Sequence, residues 1–261
     1  MQPKIHPTAI IADDVEIDED TEIGPYCIIG SGCKIAKGTR LLSNVILEGT
    51  LELGYNCTVH PFTSIGFPPQ DMKYDGRQTA VRIGNDNIIR EYATIHRASI
   101  HGDGVTEVGN GNFIMAYVHV AHDCKLGNNI VMANAATLAG HVEIQDNAVI
   151  GGVVAIHQFT RIGAYAMVGG FSGVGQDVPP FTIASGPRAR LFGLNLIGLK
   201  RNGFSDDTIQ RLKDAYKILF RDKLTLTEAL KKLEDEMEMT AEIKMLLDFI
   251  SKNKRGVCRQ T

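Results

Sequence analysis

Residues 120–138, VAHDCKLGNNIVMANAATL, return an aliphatic side chain every six positions, at Val120, Leu126, Met132 and Leu138. Four residues after each aliphatic comes a small inward candidate, Cys124 and Ala136 being two of them. Followed outward, the same phase starts at Val108 and continues through Ile144, Ile150, Ile156, Ile162, Val168 and Val174. It is present earlier too, from Ile5 to Ile65 without a break and again at Ile83, Ile89 and Ile95. A six-residue period matches neither the 3.6 of a helix nor the simple alternation of an isolated strand. It predicts a parallel β-solenoid, in which short strands turn at tight corners around a narrow core and each coil stacks on the last.

The phase fails at two places and then ends. Residues 66–82 and 96–107 read as loop excursions, rich in Pro, Asp, Lys and Gly, and insertions on a solenoid are candidate working surfaces. After VPPFTIASGPRAR the pattern becomes helical. Ser205, Thr227 and Thr240 are expected to cap three helices that close the solenoid's end. We therefore read 1–187 as the solenoid and 188–261 as an α-helical domain. From residue 188 onward the chain has 16 Lys and Arg against 11 Asp and Glu, although the whole carries a formal net charge of −3. That basic third favours an acidic partner, with a solvated helical face as the equal alternative. No apolar run has the length of a membrane span, and MQPKIHPTAI lacks the apolar stretch of a signal peptide. Four of the five cysteines, Cys27, Cys33, Cys57 and Cys124, fall in the small inward column, leaving Cys258 over. Neither a disulfide framework nor paired metal spacing is present, and a cytoplasmic location is expected.

On a triangular coil of three hexads, as in the hexapeptide-repeat proteins that these hexads resemble, His122 stacks below Gly140–His141, and these below His157–Gln158. Asp123 adjoins His122 at an outward corner. A histidine beside a carboxylate, under a glycine N–H, suits general-base acyl transfer. Stacked histidines could instead hold zinc, but the neighbouring Gly140 and Gln158 and the Lys-containing loop favour catalysis, and a solvated corner is the plain alternative. For His6, His60, His101 and His119 the solvated reading is preferred.

The hexads resemble those of the hexapeptide acyltransferases, which implies a left-handed parallel β-helix. The combination of AHDC, LAGHV, AIHQF, MVGGFSGV, QDVPPF, QDMKYDG and GLKRNGF resembles more narrowly the UDP-N-acetylglucosamine O-acyltransferases that begin lipid A synthesis, over nearly the whole chain. That resemblance implies transfer of a 3-hydroxyacyl group from acyl carrier protein to the sugar 3-hydroxyl, without a cofactor or metal. A 3-amino analogue of the sugar remains open as acceptor. It implies His122 as base, Asp123 as its orienting partner and the Gly140 N–H as oxyanion donor. Gln70, Asp71, Lys73, His141 and Gln158 would surround the sugar and diphosphate, Asn195 and Arg201 the nucleotide. His96 and His157 would line the cleft. Gly170 would limit the acyl pocket, leaving room there for a longer chain. The implied assembly is a homotrimer with clefts between subunits, without nucleic acid and without a membrane span. Arg188, Arg190 and Lys200 are candidates for carrier-protein docking.

Overall fold

A computed structural model describes residues 2–259. Among the described residues the chain winds through three sheets of 11, 9 and 8 strands, every pairing parallel except the last, in which Thr182–Ser185 runs antiparallel to Arg190–Leu194. Strand partners in the regular coils are 18 residues apart, as in Lys4↔Glu22 and His119↔Thr137. The aliphatic column forms the core, with Ile29, Leu47, Ile65, Ile95, Val120 and Ile156 all buried.

The small column is equally buried, and its polar members are there for a reason. The Thr39 hydroxyl donates to Gly54 O at 2.7 Å, the Cys27 thiol to Leu42 O at 2.8 Å and the Cys124 thiol to Ala139 O at 3.2 Å. A corner carbonyl that meets no amide thus gains a donor from the neighbouring coil. Burial pushes the Cys124 thiol up to about 12, which keeps it protonated and unreactive. Cys258, far away in sequence, is also buried and donates to Gln176 O and Ala189 O.

Both excursions leave the second sheet at the same corner, after Ser64–Ile65 and after Thr94–Ile95. Partner spacing of 30 across the first (Thr50↔Ala80) and 25 across the second (Ile88↔Phe113) shows how much chain each adds to a regular coil. Strand resumes at Ala80 and at Val105, a few residues before the expected ends of these loops. The sheet likewise runs on to Leu194, beyond the expected switch at 188.

Among the described residues four helices follow where three were expected: α1 (Leu196–Arg201), α2 (Asp206–Phe220), α3 (Leu226–Glu236) and α4 (Ala241–Ser251). Ser205 and Thr240 cap α2 and α4 as expected. The cap of α3 is Thr225, not Thr227, because Thr225 and Glu228 form a reciprocal capping box and leave Thr227 inside the helix. The helices share a core of their own around Leu212, Leu233, Leu246 and Phe249. They are latched to the solenoid by Arg161, whose guanidinium bonds buried Asp177 at 2.6 and 2.8 Å, donates to Phe249 O and lies 4.4 Å over the Phe249 ring.

Candidate active site

The corner that sends out both loops also carries His122, one coil above Thr94–His96. Asp123 takes φ of 61°, as do most residues at this corner position, and the turn buries its carboxylate under the second loop. Its side chain is only 3% exposed, so the outward orientation expected from the repeat is wrong for it. The Ser99 N–H donates to Asp123 Oδ2 at 3.0 Å, and the Asp123 N–H donates to Thr106 Oγ1 at 2.8 Å. Burial opposes its charge, but the hydrogen bonds from His122 and Ser99 outweigh that and hold the carboxyl down at about 2.

His122 Nδ1 lies 2.7 Å from Asp123 Oδ2. An ionised carboxylate only accepts, so Nδ1 carries a proton, and the neutral ring then has its lone pair on Nε2. The imidazole rests on Gly140: a Cβ built there would stand 2.4 Å from His122 Cε1 and 2.7 Å from Nε2. Glycine is therefore required by close approach of the ring, its backbone being of ordinary φ. His141 crosses the His122 ring edge-on at 5.3 Å, stacks on Phe159 at 4.5 Å and sets Nε2 3.5 Å from Asp123 Oδ2. Burial lowers the pKa of His141.

Below lies a second histidine pair. His96 Nδ1 sits 2.7 Å from Pro68 O, tying the first loop to this corner, and its ring meets that of His119 edge-on at 5.2 Å. His119 Nδ1 contacts Thr94 Oγ1 at 2.7 Å. Burial, together with the nearby His96 and His122, brings His119 down to about 4, so the solvated reading of this residue does not hold. Sequence spacing carries no signal for its burial, because the second loop sets Thr94 and His119 in register across 25 positions and not 18. Ser99 and Thr106, which hold Asp123, gave none either.

The other candidates are dispersed. His157 and Gln158 are exposed on the next coil of this corner. Asp71 turns its loop by accepting from the Lys73 N–H at 3.0 Å, while Gln70 and Lys73 face solvent. Asn195 is buried as the N-cap of α1 and donates to Tyr165 O, whereas Arg201 is exposed at that helix's far end. Gly170 belongs to a different corner, between the first and second sheets, where it follows Met167–Val168. Among the described residues no hydrogen bond, ion pair or ring contact joins Gln70, Lys73, Asn195, Arg201 or Gly170 to His122. A cleft of about 560 Å³ opens on the third-sheet side of the dyad, lined by His101, Asp123, Lys125, His141, Lys252 and Lys254.

The chain is 67% identical to an acyl-(acyl-carrier-protein):UDP-N-acetylglucosamine O-acyltransferase of Thermodesulfovibrio yellowstonii, over 98% of this chain and 99% of that one. It belongs to the UDP-N-acetylglucosamine O-acyltransferase family. The family's second domain matches residues 177–258, and the bacterial transferase hexapeptide family matches 106–140. Solved family structures superpose closely. The UDP-N-acetylglucosamine O-acyltransferase of Moraxella catarrhalis gives a TM-score of 0.95 at 44% identity, covering 98% of this chain and 99% of that one. That of Francisella novicida gives 0.96 at 37%, covering 98% and 94%. The fold class expected from the hexads and the acyltransferase assignment both stand, and no described helix is long and apolar enough to cross a membrane.

Proposed function

We propose that this family member transfers a 3-hydroxyacyl group of R configuration from acyl carrier protein to the 3-hydroxyl of UDP-N-acetylglucosamine, the first step of lipid A biosynthesis, in the cytoplasm, with His122 as general base. The observation that carries this reading is the His122 ring, held by Asp123 through Nδ1 and pressed on the Gly140 backbone with Nε2 unengaged. Nε2 takes the proton of the sugar 3-hydroxyl as its oxygen attacks the thioester carbonyl. The Gly140 N–H, which makes no backbone hydrogen bond among the described residues, donates to the developing oxyanion. The carbon–sulfur bond then breaks, and the imidazolium returns its proton to the departing thiolate. Asp123, ionised throughout, stabilises the imidazolium between the two transfers.

The dispersed candidates fit a cleft between subunits of a homotrimer, in which Asn195, Arg201 and Gly170 of one chain reach the dyad of another. Supporting this, Gly170 stands at the head of an exposed ring column, Tyr26, Phe62, Tyr92, Tyr117 and Phe171, along the corner that holds no catalytic candidate. Gln70, Asp71, Lys73, His96, His141, His157 and Gln158 would contact the sugar and diphosphate. Carrier protein would dock on the basic residues that include Arg188, Arg190 and Lys200. The test is acyl transfer to UDP-N-acetylglucosamine from carrier proteins bearing 3-hydroxyacyl chains of graded length, wild type beside His122→Ala. The expected result is transfer that drops by roughly 10²–10⁴ in the variant, with a long donor preferred because Gly170 leaves the pocket open. Equal rates in the two proteins would remove His122 from the chemistry.

A further inference from the structure

The group that holds His122 is also a set of three metal-binding atoms. His122, Asp123 and His141 each bring one ligand atom within 4.8 Å of the other two, and Asp123 Oδ2 stands 2.7 Å from His122 Nδ1 and 3.5 Å from His141 Nε2. This set differs from the one the repeat suggests, since His157 is exposed and its Nδ1 lies 3.2 Å from Gln158 O.

Three features favour a cation. Zinc bonds nitrogen and oxygen at about 2.0–2.2 Å, which places neighbouring ligand atoms of a tetrahedral ion roughly 3.3–3.6 Å apart. His141 Nε2 and Asp123 Oδ2 already stand at 3.5 Å, and the 2.7 Å His122–Asp123 contact has to open, the two histidines being close enough for small ring rotations to bring them to one ion. Asp123 Oδ1 is buried without a hydrogen-bond partner, an unmet acceptor that a cation bound by both carboxylate oxygens would satisfy. Lastly, Asp123 and His141 both line the cleft on the third-sheet side, which provides an entry path and room for a water as fourth ligand. The cysteines offer no competing site, all five being buried.

We propose that His122, Asp123 and His141 form an inhibitory zinc site, in which the ion takes the place of the proton between His122 Nδ1 and Asp123. Zinc needs the lone pair of Nδ1, so the imidazole proton must move to Nε2 through solvent. The ring then presents a donor where the acceptor hydroxyl requires a base. Occupancy and catalysis therefore exclude each other. The inhibition rests on His122 as the base, whereas the binding does not, and the two are measured separately.

Zinc binding to the full chain is titrated by calorimetry and by competition with a chromophoric chelator, in wild type, His141→Asn, Asp123→Asn and the remote control His6→Ala. Wild type and His6→Ala should bind about one ion per chain in the micromolar range or tighter, with affinity at least roughly tenfold weaker in the other two. In parallel, zinc should inhibit acyl transfer reversibly, chelator restoring the rate, and the inhibitory concentration should rise with His141→Asn in proportion to its affinity loss. Binding that is absent at 100 µM zinc, or that His141→Asn and Asp123→Asn leave unchanged, would overturn the site. Site-specific binding without loss of rate would leave the site standing and instead overturn the inhibition, together with the assignment of His122 as base.

Discussion

At the scale of the residue, the site depends on one missing Cβ. A methyl group at Gly140 would overlap the His122 imidazole, and the ring, being the end of a side chain, is what must move. Gly140→Ala is therefore expected to fold normally and to lower kcat by roughly 10², the size of effect that follows a misplacement of about 1 Å at a catalytic group. Circular dichroism and a steady-state assay on the same preparation check this. Near-native turnover would mean that the imidazole works from another position. The adjacency of His122, Asp123 and Gly140 is legible once the hexads are read as 18-residue coils, as their resemblance to the hexapeptide family implies, because such a coil stacks 122 under 140. The burial of Asp123 is not, because it comes from the second loop folding back so that Ser99 reaches the carboxylate across 24 positions of chain.

At the scale of the element, the corners differ in chemistry although they share one repeat. At the corner after the third sheet, polar side chains hold successive coils together: the amides of Tyr55, Asn85, Asn110 and Asn128 donate in turn to Asn85, Asn110, Asn128 and Asp146 at 2.7–3.1 Å. Buried Asn87 and Asn112 occupy the small inward column, each donating to a corner carbonyl and accepting from the next coil's amide. At the corner after the second sheet the polar groups are histidines, which brings a pH dependence. The folded His119 titrates near 4, below the ordinary value of 6.5, so between these limits the unfolded chain binds a proton that the folded chain does not. Stability must then fall as pH is lowered from 6.5 toward 4. Urea midpoints measured across that window should decline less steeply in His119→Asn than in wild type. Parallel declines would show that other groups, His96 and His141 among them, carry the whole effect.

At the scale of the whole molecule, the chain presents Tyr26, Phe62, Tyr92, Tyr117 and Phe171 to solvent along one corner, all in the left-handed conformation that costs a non-glycine residue roughly 1–2 kcal/mol. Phe62, Tyr92 and Tyr117 stack at 4.9–5.0 Å, making a continuous apolar ridge. We expect this ridge to be covered by a second copy. The double variant Tyr92→Glu, Tyr117→Glu should then sediment at one third of the wild-type mass and lose activity with it, and a fully active monomer would remove the intersubunit cleft. The sequence by itself determined the solenoid, its buried columns and two of its helix caps, while the coil length, and with it the stacking of His122 with Gly140, came from resemblance to the hexapeptide family. The solenoid and its columns follow from periodicity, which local residue choice must obey for every coil to bury its apolar face, and the caps from Ser205 and Thr240 each standing before a helical pattern. Only tertiary structure decided that both loops leave one corner, that Asp123 is buried, that His119 is desolvated and that the tail returns to bury Cys258. Those outcomes depend on where non-repeating segments dock, and a docking position is set by contacts between residues far apart in the chain, which no period records.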